Sequence, residues 1–327
     1  MYTITSDIIR KMNKLGHKRR PFVFLFDFEC RKARVLEWHE CAPELFWRTP
    51  QHGNFTATPY NNHPVSWQAE PVSFARYEQA FNLVQKHIHA GDSYLLNLTM
   101  PTAVSTNLRL DEIAHQSQSP YLVYLKDEFV CFSPEIFVRI KDGQISSYPM
   151  KGTIDATLPN AEQLLKTNRK ELAEHHTIVD LIRNDLSRIA DQVEVTRFCY
   201  LDEIQSNRGK LLQMSSEITG RLAADYHAHL GDIFASLLPA GSITGAPKAK
   251  TVEVIEAAEQ YQRSWYTGIF GVFDGQNVDS CVLIRYLEQN GDKFTFKSGG
   301  GITYLSNCRE EYEELIKKVY VPIIGNH

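Results

Sequence analysis

The sequence predicts an α+β protein built on large antiparallel β-sheets with helices packed outside. Predicted strands outnumber predicted helices, and short turns join many of the strands, which is typical of antiparallel sheets. The chain has 327 residues, of which 43% are hydrophobic and 11% aromatic, enough for a substantial core. We therefore expect it to fold without disulfide staples.

The N-terminal part, residues 1–70, is predicted to be a short segment that adds strands to the main body. Residues 21–28 form a dense β-forming run, which indicates a buried core strand. Residues 43–71 are rich in Pro, Asn, His and Gln and show little periodicity, which predicts a long surface loop or the seam to the main body. Residues 71–327 are the main body, and both parts are expected in one structural domain.

Beyond residue 71 the pattern alternates between helix and strand. Residues 74–90 carry apolar side chains at helical spacing, and this helix is predicted to end at Gly91-Asp92. Further helices are predicted at 161–190, from the Gly-rich loop 239–247 to about residue 262, and at 310–319. The predicted strands after residue 71 are 93–99, 121–125, 128–132, 136–140, 145–148, 193–196, 213–218, 268–273, 280–287 and 293–297.

Charge and cysteine content exclude several classes of protein. The net charge of −4 and the pI near 6.3 give no basic surface for nucleic acid or an anionic membrane. The six cysteines are scattered without a Cys-x-x-Cys pair, which favours reduced thiols over a zinc site or a disulfide framework. The first twenty residues lack the apolar core of a signal peptide, and no run of 18 apolar residues follows. The sequence therefore predicts a soluble cytoplasmic protein.

A predicted β-hairpin places an acid beside an amine. The runs 136–140 and 145–148 flank Lys141-Asp142-Gly143-Gln144, in which Asp-Gly favours a tight reversal. A hairpin returns the chain to its starting point, so Glu135 before the first strand and Lys151 after the second are expected at the same open end. Two interpretations stay open: a salt bridge at the rim, or a lysine nucleophile with a carboxyl proton donor.

The predicted C-terminal helix carries charged residues on one face. Glu311, Glu314 and Lys318 fall at i, i+3 and i+7, and Asn307 is placed to cap the start of the helix. Such a face is either simply solvated, or it joins Glu174 of the long helix to hold a hard divalent cation. Mg²⁺ takes only one or two protein carboxylates and completes its shell with water and an anionic substrate. Lys318 would then meet a substrate carboxylate.

Two glycine-rich segments offer backbone N–H groups to a ligand. Residues 241–248 lack the spacing of a nucleotide P-loop, but their glycines precede a helix N-terminus, a natural seat for a carboxylate. Gly299-Gly300-Gly301 is either a second place of close backbone approach or a flexible hairpin tip. Arg285 lies in the apolar run 280–287 and needs an anionic partner, either a core acid or a bidentate substrate carboxylate.

Taken together, these segments resemble the chorismate-utilising enzymes over residues 74–322, in a single collinear order. Each motif is weak alone, and the ordered set is specific. The motifs are Ser133-Pro134-Glu135, Pro149-Met150-Lys151-Gly152-Thr153, Glu174-His175 through Asp180 to Arg183-Asn184-Asp185, Thr244-Gly245-Ala246-Pro247-Lys248, Tyr266 with Gly268 and Gly271, Ile284-Arg285, the glycine triplet, and Glu311 to Lys318. The resemblance implies a two-lobed sandwich of antiparallel sheets.

The resemblance also implies an enzyme that aminates chorismate. Pro-x-Lys-Gly-Thr around Lys151 is similar to the pattern of aminodeoxychorismate synthases, in which the lysine amine attacks C2 while the C4 hydroxyl leaves, protonated by the residue matching Glu135. Ammonia then enters at C4 and expels the lysine, giving 4-amino-4-deoxychorismate, the step before p-aminobenzoate and folate. Gln213 stands where anthranilate synthases have a histidine linked to pyruvate elimination, which argues against an aromatised product.

The other family roles carry over as expectations. Mg²⁺ is expected on Glu174 and Glu314, with Glu311. Substrate contacts are expected from Thr244, Gly245, Tyr266, Arg285, Gly299, Gly300, Gly301, Lys318 and Gln213. No glutaminase segment is expected in this chain, so ammonia is expected from a separate glutamine amidotransferase or from solution. The alternatives are an anthranilate, isochorismate or salicylate synthase, and a non-catalytic relative that serves as a scaffold.

Overall fold

A computed structural model describes residues 4–56, 64–117, 119–206 and 209–322. It confirms the predicted α+β class with two large antiparallel sheets. The helices are α1 (Ser6–His17), α2 (Phe74–His89), α3 (Leu110–Gln116), α4 (Ala161–Thr167), α5 (Arg169–Leu186), α6 (Leu230–Leu237), α7 (Gly241–Thr244), α8 (Lys248–Glu259) and α9 (Cys308–Lys317). The strands are β1 (Phe22–Phe26), β2 (Ala33–Glu37), β3 (Leu45–Arg48), β4 (Trp67–Pro71), β5 (Leu95–Thr106), β6 (Leu122–Leu125), β7 (Phe129–Cys131), β8 (Ile136–Lys141), β9 (Gln144–Ser147), β10 (Met150–Asp155), β11 (Asp191–Ser206), β12 (Gly209–Arg221), β13 (Gly245–Ala246), β14 (Ile269–Phe273), β15 (Val278–Val282), β16 (Tyr286–Asn290) and β17 (Lys293–Ile302).

The first sheet has nine strands in the order β10-β12-β9-β8-β15-β14-β1-β2, with β11 paired to β12. The N-terminal strand β1 lies inside this sheet, where Phe24 is opposite both Gly271 of β14 and Val35 of β2. The second sheet has eight strands in the order β13-β5-β17-β16-β7-β6-β3, with β4 paired to β5. The segment before residue 71 therefore supplies strands to both sheets.

The two sheets pack face to face, and helices cover their outer surfaces. Alternate residues of a strand point to opposite faces, so Val23 and Leu25 of β1 join Phe129 of the second sheet in one buried cluster. The residues between them face the helices, and the ring of Phe24 lies 4.5 Å from that of Phe234 on α6. Helix α3 covers the outer face of the second sheet.

Of the two alternatives expected for residues 43–71, the long surface loop is wrong, because the described part of this segment contains two strands. Strand β3 pairs with β6, and β4 pairs with β5; residues 57–63 lie outside the described part. Trp47 of β3 is 1% exposed, with its ring 5.5 Å from Trp38 and 6.0 Å from Phe270. This burial overrides the loop-like composition of the segment, because strand formation depends strongly on packing.

The apolar run 280–287 forms two strands rather than the one expected. β15 ends in the first sheet at Val282, and β16 begins in the second sheet at Tyr286. Arg285 in the link has a φ of 55°, so it lies where the chain crosses between the sheets. Leu283 in the same link is fully buried. An apolar link between two packed sheets has no sequence pattern that separates it from a strand.

The glycine triplet is part of a central strand and not a hairpin tip. Gly299, Gly300 and Gly301 of β17 pair with Thr99, Leu98 and Asn97 of β5. Glycine at positions 300 and 301 leaves room for the charged side chains of the candidate site, whereas a Cβ at Gly299 would lie 2.3 Å from the carbonyl oxygen of Leu98.

The long helix predicted at 161–190 is two helices. Asn168 divides them, because its side chain accepts hydrogen bonds from the backbone N–H groups of Lys170 and Glu171 and so caps α5. Asn307 caps α9 in the same way, as predicted. Within the described ranges, none of the helices combines the length and the apolar character that a membrane span requires.

Candidate active site

The hairpin of β8 and β9 returns the chain toward Glu135. Ile140 pairs with Ile145 across the turn, and extending this register places Glu135 opposite the start of β10, next to Lys151. The two side chains are close enough for the charge of Lys151 to lower the pKa of Glu135. The acid and the amine therefore lie at the same end of the hairpin.

Lys151 stands between the two sheets. Its Nζ lies 3.5 Å from Oε2 of Glu174 on α5. A Cβ atom added to Gly301 of β17 would lie 2.9 Å from the same Nζ. A side chain at position 301 would displace the amine from this position. The Lys151 side chain is 22% exposed.

Glu135 is a half-buried carboxyl group with one direct hydrogen-bond donor. The hydroxyl of Ser242 on α7 donates to its Oε1 at 2.7 Å. Burial raises the pKa of Glu135, and the Ser242 hydrogen bond and the charges of Lys151, Lys318 and Arg285 oppose this rise. A carboxyl group with a raised pKa keeps its proton closer to neutral pH, which suits a general acid.

Each of the three predicted metal-binding carboxylates forms an ion pair with a lysine side chain. The pairs are Glu174 with Lys151 at 3.5 Å, Glu311 with Lys170 at 2.6 Å, and Glu314 with Lys318 at 2.7 Å. Glu174 and Glu311 are buried, whereas half of the Glu314 side chain is exposed. A Cβ added to Gly300 would lie 3.5 Å from Oε2 of Glu311 and 3.8 Å from Oε1 of Glu314. Helices α5 and α9 therefore bring the carboxylates together over β17.

This group of carboxylates fits a hard divalent cation. Oε1 of Glu174 is buried and has no hydrogen-bond partner among the described residues, and a buried oxygen in that state is unfavourable unless water or a cation meets it. Over the same residues, no three His, Cys, Asp or Glu side chains are gathered tightly enough to hold a metal ion alone. That arrangement is compatible with Mg²⁺, which takes one or two protein carboxylates.

Arg285 and Tyr266 lie near the same charged groups. The charge of Arg285 lowers the pKa values of Glu135 and Lys318, and its guanidinium carbon lies 5.3 Å from the centre of the Tyr320 ring. Among the described residues Arg285 makes no salt bridge to a core acid. Tyr266 is 3% exposed, and burial raises its pKa while Arg285 opposes that rise.

Gly245 holds its loop directly against β5. Its φ is 126°, and an added Cβ would lie 1.9 Å from the carbonyl oxygen of Leu95. No other residue type fits such a conformation at such a distance. The hydroxyl of the preceding Thr244 donates to the carbonyl of Ala240 at 2.7 Å, so this hydroxyl stabilises the loop itself.

A buried ion pair fastens this loop to α5. Nζ of Lys248 lies 2.6 Å from Oδ2 of Asp185, with side-chain exposures of 9% and 12%. The same Nζ donates to the carbonyl of Leu237 at 2.8 Å. Gly241 is packed on the same carboxylate, since an added Cβ would lie 3.0 Å from it. The loop and the helix that carries Glu174 are therefore held in one arrangement.

Two further predicted residues lie on strands of the site. Gln213 is half-buried on β12 and is opposite Thr153 of β10. The carbonyl oxygen of Gly299 accepts a hydrogen bond from Nζ of Lys318 at 2.8 Å. Gly299 therefore contacts Lys318 through its backbone. Gln213 lies on β12, which pairs with the strand that carries Lys151.

Sequence reasoning missed several contacts of the site. Lys170 lies four residues before Glu174 on the same helix, and this spacing could have indicated that it faces the carboxylates. Ser242 gave no such signal, because 107 positions separate it from Glu135. The Asp185–Lys248 pair joins two of the recognised motifs, but nothing in either motif indicates the contact.

Comparison with known sequences shows which family and which relatives the chain is similar to. A family described as chorismate binding enzyme matches residues 6–323. A protein of Haemophilus influenzae described as an uncharacterized PabA-like protein is 51% identical over 318 residues, which are 97% of each chain. An aminodeoxychorismate synthase component 1 of Klebsiella aerogenes is 31% identical over 323 residues, covering 93% of this chain and 66% of that protein.

The fold is also similar to that of solved structures. The menaquinone-specific isochorismate synthase of Escherichia coli superposes with a TM-score of 0.72 over 95% of this chain and 79% of that chain. The identity between the two is 18%, so this similarity concerns the fold alone.

Proposed function

Because the chain belongs to the chorismate-binding enzyme family, we propose that it aminates chorismate at C4 and releases 4-amino-4-deoxychorismate. The observation that carries this proposal is the position of the Lys151 amine, 3.5 Å from Glu174 in a gap that it shares with Gly301. The 31% identity to an aminodeoxychorismate synthase component 1 supports the same reaction.

In the first step Lys151 gives up an ammonium proton to solvent, and the amine attacks C2 of the ring. A bond forms between Nζ and C2, the two ring double bonds shift, and the bond between C4 and its hydroxyl oxygen breaks. Glu135 gives its proton to the departing hydroxyl, which leaves as water. The raised pKa of Glu135 supports this role, because a general acid must hold a proton at the working pH.

In the second step ammonia bonds to C4 and the double bonds shift back. The electron pair of the bond between Nζ and C2 returns to Lys151, which leaves as a neutral amine. The product carries an ammonium group at C4, and Glu135 regains its proton from solvent. Gln213 offers no imidazole base near the ring, which supports a product that keeps its enolpyruvyl group.

The substrate is a dianion, and the charged side chains of the site nearly balance one another. The cations are Lys151, Lys170, Lys318 and Arg285, and the acids are Glu135, Glu171, Glu174, Glu311 and Glu314, one more than the cations. Mg²⁺ held by Glu174 and Glu314, with Glu311 beside them, would supply additional positive charge to a substrate carboxylate. The unpartnered Oε1 of Glu174 supports this placement.

The other carboxylate of the substrate has its own candidate partners. From the family resemblance we assign the enolpyruvyl carboxylate to Tyr266 and Arg285. Arg285 makes no salt bridge among the described residues and lies close to the buried Tyr266, which supports this assignment. Lys318 and the backbone N–H groups around Gly245 and the glycine triplet are further donors. Thr244 takes part through the loop that its hydroxyl stabilises.

Ammonia is proposed to come from a separate glutamine amidotransferase. The name of the Klebsiella aerogenes relative includes the words component 1, which supports a second component for this chain as well. Free ammonia at high concentration should replace that partner in vitro, since the nucleophile is the same molecule.

The direct test is to incubate the protein with chorismate, MgCl₂ and ammonium chloride at alkaline pH and to identify the product by mass spectrometry. We expect 4-amino-4-deoxychorismate. Formation of anthranilate or isochorismate would show that the proposed reaction is wrong. The same assay without MgCl₂ tests the metal requirement.

We expect Lys151→Ala to reduce turnover by more than about 100-fold, because the attacking amine is lost. The matched control is Lys141→Ala, at the exposed turn of the same hairpin, which should leave turnover unchanged. Circular dichroism should show the same fold for both variants. Wild-type turnover in Lys151→Ala would remove this lysine from the chemistry.

A further inference from the structure

We infer that Lys170 is a built-in counter-cation of the carboxylate group, which keeps Glu311 out of the metal's coordination shell and weakens binding of the ion in the absence of substrate. This inference rests on the proposed Mg²⁺ site and adds a residue that sets its affinity.

The contact between Lys170 and Glu311 joins two helices. Nζ of Lys170 on α5 lies 2.6 Å from Oε1 of Glu311 on α9. The Glu311 side chain is only 3% exposed and that of Lys170 is 25% exposed. A charge-assisted hydrogen bond this short, around a carboxylate this deeply buried, is a strong interaction. The other oxygen of Glu311 faces Gly300.

The charge of Lys170 also reaches the other two carboxylates. Burial raises the pKa of Glu174, the charges of Glu171 and Glu311 add to this rise, and the charges of Lys151 and Lys170 oppose it. Lys318, Lys151 and Lys170 likewise lower the pKa of Glu314. Together with the other two lysines, Lys170 therefore offsets the repulsion among the neighbouring acids. The positive charge of Lys170 also repels a divalent cation that approaches Glu174 and Glu314.

Glu314 also has a lysine partner, Lys318 at 2.7 Å, but its side chain is 51% exposed, whereas that of Glu311 is 3% exposed. Glu174 keeps an oxygen without a partner among the described residues. Glu311 is therefore the carboxylate that its lysine holds most firmly. Mg²⁺ on Glu174 and Glu314 retains most of its coordination positions for water and for a substrate carboxylate. A third inner carboxylate would bind the ion more tightly and leave less of its charge for the substrate. Lys170 thus makes occupancy by the ion depend on the substrate's own negative charge.

The test is calorimetric titration of the full chain with MgCl₂ and no chorismate. We expect Lys170→Met to bind Mg²⁺ about tenfold more tightly than the wild type, because a nearby positive charge is removed and Glu311 becomes free. Glu311→Gln should bind the ion more weakly, since Lys170 then loses its partner. The double variant K170M/E311Q removes both charges and should return close to the wild-type affinity.

Thermal unfolding gives a second readout that needs no turnover. In a chelator, Lys170→Met should melt at a lower temperature than the wild type, because the buried Glu311 loses its partner. MgCl₂ should raise its melting temperature by more than it raises that of the wild type. The matched control is Lys166→Met, which breaks the exposed pair of Lys166 with Glu162, also at 2.6 Å, and should behave like the wild type.

Three results would overturn the inference. One is wild-type affinity and melting behaviour in Lys170→Met. Another is loss of Mg²⁺ binding in both Glu311→Gln and the double variant, which would make Glu311 a ligand. The third is a Lys170→Met chain that takes up no Mg²⁺ in the absence of chorismate. An unexpected product from chorismate would overturn only the proposed reaction, because these measurements use Mg²⁺ alone.

Discussion

Ser242 is the residue that most directly controls the proposed general acid. Its hydroxyl donates to Oε1 of Glu135 at 2.7 Å and stabilises the ionised carboxylate. The proton of the neutral acid is therefore favoured on Oε2, the oxygen without this donor. A single hydroxyl thus affects both the pKa and the orientation of Glu135.

We predict that Ser242→Ala moves the alkaline limb of the pH–rate profile to higher pH. Loss of the hydrogen bond destabilises the ionised form, so the pKa of Glu135 rises, and the protonated acid needed for the reaction persists to higher pH. The measurement is kcat/KM for chorismate across a pH series. Ser242→Thr keeps the hydroxyl and should leave the limb in place. Coincident limbs for the wild type and Ser242→Ala would contradict the prediction.

At the residue scale, the sequence reveals contacts within one element better than contacts between elements. The approach of Glu135 and Lys151 follows from a local Asp-Gly hairpin. The contact of Lys170 with Glu311 spans 141 positions, so the helical spacing of Lys170 and Glu174 could indicate only that Lys170 faces the site and not that it meets Glu311. Pairing over such a separation depends on how whole helices and sheets pack, which one sequence does not encode in its spacing.

At the scale of elements, the buried pair of Asp185 and Lys248 decides how the glycine loop sits on α5. Both side chains are nearly buried, and a Cβ added to Gly241 would lie 3.0 Å from the Asp185 carboxylate. Breaking one half of such a pair leaves an uncompensated buried charge. The loop that positions Ser242 and Gly245 therefore depends on a contact outside the reactive centre.

We predict that Lys248→Met lowers the free energy of unfolding by about 3 kcal/mol, because Asp185 is left buried and unpaired. Urea denaturation followed by circular dichroism measures this change. The matched control is Lys250→Met in the same helix, which breaks an exposed pair with Glu253 and should leave the urea midpoint unchanged. Equal midpoints for the two variants would show that the buried pair is not stabilising.

Element boundaries were predicted well where caps and periodicity agree, and poorly where burial dominates. Helix α2 is found at Phe74–His89, within one residue of the predicted range, because Ser73 and the turn at Gly91 bound a clear helical pattern. The prediction of a single strand at 280–287 is wrong, because the apolar link between β15 and β16 is buried between the two sheets. Tertiary packing of this kind overrides local pattern.

At the scale of the molecule, the N-terminal strands are part of the sheets on which the site is built. All five residues of β1 are fully buried between β14 and β2. The α+β class followed from the count of predicted strands and the short turns. The order of strands in each sheet did not, because pairing between distant strands leaves no mark in a single sequence.

We predict that a chain reduced to residues 71–327 does not fold cooperatively. Removing β1 exposes β14 at a sheet edge and deletes a fully buried row of side chains from two clusters. Thermal unfolding and dye binding to exposed apolar surface would measure this. A soluble fragment with a sharp transition and native chorismate turnover would establish residues 71–327 as an independent domain.

Lys151 belongs to the first sheet, and the glycine that leaves it room, Gly301, belongs to the second. The Lys151 amine, the proposed nucleophile, therefore lies at the contact between the two sheets. Separation of the two sheets would move Gly301 away from Lys151. We therefore expect the proposed ring substrate to enter at the open edge of the sheets, without separating them. We expect bulky derivatives of the ring to bind poorly, because they would not pass this edge.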